Sequence, residues 1–154
     1  MDARTHTASR VIKASPRRIY EALLDPVAIA QWRPPKGMTA EVHSFDAHPG
    51  GRFRMSFIYS DRNPGIRGKT SEEADMFTGE FLDLMPDSRV VEIIEFKSED
   101  PAFAGKMTVT TSLIPKAGGT EVTISCSNVP RGISAEDHAV GMASTLSNLA
   151  AFVE

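Results

Sequence analysis

Apolar and polar residues alternate with a period of two along most of the chain, from Met38 to Ser127. Stretches such as DAHPGG, MPDS and PKAGG interrupt the alternation with residues that favour turns. In RFRMSFIY, for example, Phe53, Met55 and Phe57 share one side of a strand, and mostly polar residues take the other. The pattern predicts an antiparallel sheet with one buried face. Its strands are expected at Thr39–Phe45, Arg52–Tyr59, Asp75–Leu84, Arg89–Phe96, Lys106–Ile114 and Thr120–Ser127.

One strand and two short helices are predicted ahead of this sheet. The first segment mixes β-branched and polar residues in the manner of a strand. Two pairs then follow, Ser15 with Pro16 and Asp25 with Pro26, each placing a good N-cap before a proline at the first helical position. The predicted elements are a strand at Thr5–Lys13, a helix from Pro16 to near Leu24 and a helix from Pro26 to about Trp32.

A long amphipathic helix is predicted at the C-terminal end. Ser134 can cap it, with Asp137 three residues later, and its expected length is about 20 residues. Its apolar stripe, with spacings of three and four, consists of Ala135, His138, Met142, Leu146, Leu149 and Val153. The stripe and the apolar face of the sheet can bury each other. The sequence thus predicts a single α+β domain over residues 1–154, in the order β-α-α-β6-α, with a curved antiparallel sheet of about seven strands around the long helix.

Charge and composition exclude several classes of partner. The chain has 17 basic and 20 acidic residues, and neither sign forms a run that would suit nucleic acid or an anionic membrane. No apolar run approaches the roughly 20 residues of a membrane span, and the N-terminal residues lack the apolar stretch of a secretion signal. We therefore expect a cytoplasmic protein that binds no nucleic acid and spans no membrane. Cys126, the only cysteine, is expected to be a buried structural thiol.

Motifs for catalysis, metals and cofactors are missing from the sequence. PGIRGKT, at Pro64–Thr70, imitates a phosphate loop, but only two residues separate its first glycine from the GKT group, where the loop needs four. The glycine-rich, zinc-protease, paired-cysteine and nucleophile-elbow signatures do not occur. The histidines, which are His6, His43, His48 and His138, show no metal-ligand spacing. We therefore predict no metal, no cofactor and no catalytic nucleophile.

The order of elements resembles the helix-grip fold of the SRPBCC superfamily, which includes START lipid-transfer domains, birch-pollen-allergen-like proteins and polyketide cyclases. The segments ASPRRIYEALLDPVAIAQWRPP, HPGGRFRMSF, GEFLDLMPDSRVVEIIEF and GGTEVTISCSNVP are similar to domains homologous to the activator of heat-shock protein 90 ATPase. The likeness runs from about residue 8 to the C-terminus. It implies a cavity between sheet and helix that takes apolar or amphipathic small molecules, although some members bind a chaperone instead.

This resemblance turns the inward-facing residues into candidates for ligand binding. In the family, the elbow between the two short helices abuts one end of the groove between sheet and long helix. The resemblance therefore implies that Trp32, at the end of the second short helix, lies at the mouth or end of the pocket; the alternative is that it only packs the helices onto the core. Each of the other residues has the same alternative role in a packed core. The predicted ligand-binding residues are Trp32, Phe57, Tyr59, Phe77, Ile94, Phe96, Met107, His138, Met142 and Leu146.

Three functions follow as alternatives, and the sequence favours the first, a small-molecule binding protein. The second is an enzyme resembling polyketide cyclases or hydratases, in which His138, Tyr59 or Glu80 would move protons. Arg54 with Glu80 would be a polar anchor for a ligand or a surface ion pair. The third is a co-chaperone-like module that contacts a protein partner through the polar segment Ser60–Asp75 and an exposed sheet edge. A homodimer is a further alternative, and the segment could also be a lid.

Overall fold

The computed structural model of the chain describes residues 4–34, 37–59, 74–96 and 100–154, with only the backbone of residues 59, 74 and 75. Within these ranges the order of elements is the predicted one. The elements are β1 (Thr5–Ile12), α1 (Pro16–Leu23), α2 (Pro26–Trp32), β2 (Met38–Phe45), β3 (Arg52–Tyr59), β4 (Ala74–Met85), β5 (Arg89–Phe96), a 3-10 turn (Pro101–Phe103), β6 (Lys106–Lys116), β7 (Gly119–Ser127) and α3 (Ala135–Val153).

The seven described strands form one antiparallel sheet in the order β1-β7-β6-β5-β4-β3-β2. Each strand from β2 to β7 pairs with its neighbour in sequence, whereas β1 closes the far side against β7. The sheet curls into a half-barrel, and α3 is the long C-terminal helix. The predicted α+β helix-grip architecture is therefore confirmed. No helix in the described ranges has the length and apolar character needed to cross a membrane.

The helix starts follow the capping chemistry of the sequence. The Ser15 hydroxyl accepts a hydrogen bond from the Arg18 backbone N–H at 3.2 Å, and the Asp25 carboxylate accepts one from Val27 at 2.9 Å. Ser134 caps α3 in the same way, accepting from the Asp137 N–H at 3.0 Å. Each cap satisfies a backbone donor that has no partner inside its helix.

Trp32 joins α2 to α1 through a hydrogen bond that the sequence makes necessary. In an uninterrupted helix the Ala22 carbonyl would accept from residue 26, but that residue is Pro26 and has no N–H. The Trp32 indole Nε1 donates to the Ala22 carbonyl oxygen instead, at 2.9 Å in a buried setting. The indole is 4% exposed. The turn between the two helices is thus closed by the side chain that ends the second one.

The end of α2 is in turn fixed to α3. Thr145 donates its hydroxyl to the Arg33 carbonyl oxygen at 3.1 Å, and the Asn148 amide donates to the Pro34 carbonyl oxygen at 2.9 Å. These carbonyls lie directly after the last residue of α2, where the helix itself supplies no donors. Two side chains of α3 therefore hold the chain where it leaves α2, and this fixes the position of Arg33.

The core lies between the concave face of the sheet and one side of α3. The buried residues of α3 are Met142, Leu146, Leu149, Ala150 and Val153. The predicted stripe was wrong at its first position, because Ala135, the first residue of α3, is exposed. Phenylalanines fill the part of the sheet around β3 and β4, and Gly79 lets the Phe53 ring lie against β4: a Cβ there would be 2.0 Å from Phe53 Cζ.

Candidate functional site

A pocket of about 230 Å³ lies between the concave face of the sheet and α3. Its walls come from α1, α2, six strands of the sheet, the loop before α3 and the first three turns of α3, and they are mostly apolar. Eight of the ten predicted ligand-binding residues line it: Trp32, Phe57, Phe77, Ile94, Phe96, Met107, His138 and Met142.

The other two predicted residues stand apart from this group. Leu146 is 2% exposed and belongs to the core cluster, and it is not among the residues that line the pocket. Tyr59 ends β3, but its side chain lies outside the described residues. The segment Ser60–Asp75, predicted to be a lid or partner contact, also lies outside them up to residue 73, and the last two positions begin β4.

The floor of the pocket is a cross-strand row of inward-facing residues. Glu92 on β5 pairs with Val109 on β6, Val109 pairs with Cys126 on β7, and Cys126 pairs with His6 on β1. Each of the first three lines the pocket. Glu92 occupies a position where its strand otherwise places apolar residues, because side chains two apart point to the same face. The row thus carries a carboxylate into an apolar wall.

Arg33 supplies the charge that balances this carboxylate. Its Nη1 donates to Glu92 Oε1 at 3.0 Å and its Nη2 to Glu92 Oε2 at 2.9 Å, the two-point geometry in which guanidinium and carboxylate match best. The side chains are 13% and 5% exposed. The guanidinium carbon also lies 5.6 Å from the Phe53 ring centroid and 5.9 Å from that of Phe77. Neither residue was among those predicted from the sequence to bind a ligand.

His138 lies at the other end of the pocket, in the first turn of α3. Its Nδ1 is 2.7 Å from His6 Nδ1, so one ring donates to the other, and the ring centroids are 5.0 Å apart. Arg4 reaches His6 Nε2 at 3.5 Å and donates to the carbonyl oxygens of Pro130, at 2.7 Å, and Ile133. His138 is half-buried. It is therefore tied into a network that joins β1, the loop before α3 and α3 itself.

Glu80 lies on the opposite face of the sheet from the pocket. It pairs in register with Arg52, whose Nε is 3.6 Å from its carboxylate, and both side chains are exposed. Of the two alternatives for Arg54 with Glu80, the ligand anchor was wrong, because Glu80 faces away from the pocket. Glu80 does form a surface ion pair, but its partner is Arg52, since Arg54 pairs with Thr78, two residues along β4. Glu80 and His138 therefore cannot act together on one substrate. The enzyme alternative then depends on His138 with Tyr59, whose side chain lies outside the described residues.

The Cys126 thiol adds a neutral polar group to the floor of the pocket. Burial raises its pKa to about 11; the Arg33 guanidinium lowers the pKa and the Glu92 carboxylate raises it. Burial has the largest effect because a thiolate would lose its hydration there. Among the described residues, no group of three or more His, Cys, Asp or Glu side chains is placed to hold a metal ion.

The raised pKa makes the reactivity of Cys126 a measurable property of the folded pocket. At pH 8 only about one thiol in a thousand is ionised when the pKa is near 11, and the thiolate is the nucleophile. We expect alkylation by iodoacetamide, followed by mass spectrometry, to become about tenfold faster for each pH unit between 8 and 10. In denaturant the same reaction should level off above about pH 9. A plateau near pH 9 in the folded protein would contradict this expectation.

Comparison with known proteins identifies relatives along almost the whole chain. The family model described as "Activator of Hsp90 ATPase homolog 1-like protein" matches residues 13–154. No curated protein matches the chain.

Solved structures extend the likeness to three dimensions. A protein from Chromobacterium violaceum is 33% identical, with a TM-score of 0.85, and the alignment covers 97% of this chain and 96% of that one. A protein from Rhodobacter sphaeroides is 20% identical, with a TM-score of 0.77 and coverage of 96% and 90%. An AHSA1-like protein from Aeromonas hydrophila is 18% identical, with a TM-score of 0.73 and coverage of 97% and 92%. The last two likenesses concern the fold alone.

Proposed function

We propose, from the premise that this chain belongs to the family of activator of Hsp90 ATPase homolog 1-like proteins, that it binds an apolar or amphipathic small molecule between the sheet and α3. The observation that carries the proposal is the mostly apolar pocket of about 230 Å³ at this place. Concave apolar pockets with a few polar groups are the usual form of small-molecule sites. An enzyme that uses Glu80 together with His138 has less support, since the two side chains lie on opposite faces of the sheet.

The size and lining of the pocket describe its occupant. Ligand pockets commonly measure about 300–1,000 Å³, so the volume here, about 230 Å³, suits a small molecule better than a long lipid. Phe57, Phe96 and Met107 offer aromatic faces and an adaptable thioether, which make dispersion contacts with an apolar body. We infer that most of the binding free energy comes from removing apolar ligand surface from water.

Gly141 allows a test in which the pocket is filled without disturbing the fold. It lines the pocket from α3, and a Cβ built there meets no heavy atom within 4 Å. Gly141→Leu should place its side chain in the pocket, while the change from glycine favours the helix by up to about 1 kcal/mol. We expect N-phenyl-1-naphthylamine, an uncharged dye that fluoresces in apolar surroundings, to bind the wild type and to bind Gly141→Leu at least about tenfold more weakly.

Gly141→Ala is the matched control for this experiment. It makes the same improvement in helix propensity but adds only one carbon, so dye affinity should stay within about threefold of the wild type. Thermal unfolding should show both variants at least as stable as the wild type. If the leucine variant binds the dye as tightly as the alanine variant does, the dye binds outside the pocket and the proposed function is contradicted.

A further inference from the structure

We propose that the ligand carries one uncharged hydrogen-bonding head group, such as an amide, hydroxyl or carbonyl, which binds at the Arg33–Glu92 pair. This inference rests on the proposed function and names the chemical class of the ligand. Both residues line the pocket at the end nearest α2. Their side chains are 13% and 5% exposed, so the pair is largely removed from water. The charge of the pair, its hydrogen-bonding capacity and its fixed position all favour such a head group.

The charges of the pair favour an uncharged head group. The guanidinium and carboxylate are joined by two hydrogen bonds, so this end of the pocket carries both signs and no net charge. A ligand carboxylate that approached Arg33 would also meet Glu92, and a ligand ammonium that approached Glu92 would also meet Arg33. Either ion would lose its hydration without gaining an unopposed counter-charge, and burying such an ion is costly. An uncharged head group loses much less on leaving water.

The groups around the pair add no charge that would change this balance. Across the sheet, the neighbouring lining residues are Val109, Thr111 and Cys126, and the pKa of about 11 keeps the thiol protonated at neutral pH. From α3 the nearest lining residue is Thr145, whose hydroxyl donates to the Arg33 carbonyl oxygen. Asp137 lies eight residues before Thr145, about 12 Å away along the helix.

The pair can form further hydrogen bonds with a ligand. Arg33 has five N–H donors, and Glu92 accepts two of them; each carboxylate oxygen can accept a further bond. The pair therefore presents donors and acceptors side by side. An amide, which both donates and accepts, matches this arrangement, whereas a carboxylate only accepts and an ammonium only donates.

The Arg33 side chain is held in a fixed position. Arg33 is held by its bidentate contact, by the Phe53 and Phe77 rings, and by the bond from Thr145 to its backbone. The Arg33 side chain therefore loses little conformational freedom when a head group binds, and this favours tight binding. The remaining lining of the pocket is mostly apolar and extends from the pair toward His138. An apolar body would fill that space.

Three molecules with the same tail and different heads test the inference. Octanamide, octanoate and octylammonium should each be titrated into wild-type protein at pH 7 in competition with N-phenyl-1-naphthylamine. We expect octanamide to displace the dye with at least about tenfold higher affinity than either ion. If octanoate or octylammonium binds as well as octanamide, or if none displaces a bound dye, the inference is overturned and the binding function stands. If the dye itself does not bind, the proposed function fails.

Charge variants provide a second test with a matched control. Glu92→Gln leaves the Arg33 charge unopposed, so the ratio of octanoate to octanamide affinity should rise at least about tenfold. Glu80→Gln removes the carboxylate of the exposed Arg52–Glu80 pair on the other face and should leave the ratio unchanged. A ratio that stays constant in folded Glu92→Gln, or changes equally in both variants, overturns the inference. If Glu92→Gln does not fold, the wild-type series decides.

Discussion

Glu92→Ala should lower the free energy of unfolding by about 3–5 kcal/mol, because it leaves the Arg33 guanidinium without its partner in a mostly apolar wall. Arg33→Ala should lose a similar amount, since a carboxylate that is 5% exposed would then lack its counter-charge. Urea unfolding followed by circular dichroism measures both. The matched surface variant, Glu80→Ala, removes an exposed carboxylate from the Arg52 pair and should cost no more than about 1 kcal/mol.

A double variant separates the net contribution of the ion pair to stability from the destabilisation caused by removing only one partner. Arg33→Met combined with Glu92→Leu replaces two paired charges by apolar side chains of similar size, and such replacements are often neutral or stabilising. We therefore expect the double variant to be more stable than either alanine variant. If it is as unstable as they are, packing rather than an unpaired charge explains the losses. The double variant should also lose the preference for an uncharged head group.

The architecture could be predicted because it depends on local patterns. Alternation with a period of two located the strands, and the pairs of an N-cap residue with proline located α1 and α2. The same signature precedes the 3-10 turn, where Asp100 accepts from the Ala102 N–H and Pro101 follows it, but this turn was not predicted. The signal was in the sequence; a single turn lacks the apolar periodicity that marks longer helices.

The polar part of the pocket was harder to predict, for a physical reason. Glu92 was visible as an exception, since it shares a strand face with Val90, Ile94 and Phe96. Its partner was not visible, because Arg33 lies 59 positions earlier and only the contact of α2 with the sheet brings them together. A lone glutamate at an inward-facing position should therefore prompt a search for a distant cation.

The residues that face each other across neighbouring strands were equally hard to predict. Arg52 and Arg54 lie on the same face of β3, so alternation alone could not decide which of them meets Glu80. His6 was missed as the neighbour of His138 because β1 joins the sheet beside β7, more than a hundred residues later. Contacts fixed by strand order and register, unlike those fixed by periodicity, require the whole sheet.

Trp32→Ala should lower the free energy of unfolding by about 3–5 kcal/mol, since it removes the largest side chain of the α1–α2 turn, 4% exposed, together with its hydrogen bond. Trp32→Phe separates the two contributions. It keeps an aromatic ring but leaves the Ala22 carbonyl without the indole donor, and Pro26 cannot supply another. We expect this variant to lose about 1–3 kcal/mol.

Trp32 should affect ligand binding as well as stability, because the same ring lines the pocket. In wild-type protein, N-phenyl-1-naphthylamine should quench the emission of Trp32, which is unambiguous because the chain has one tryptophan. Trp32→Phe should keep dye affinity within about threefold, whereas Trp32→Ala should weaken it about tenfold or more through the loss of a wall. Unfolding of these variants must be followed by circular dichroism, since both lack the fluorophore. A folded Trp32→Ala protein with wild-type affinity would assign the indole to packing alone.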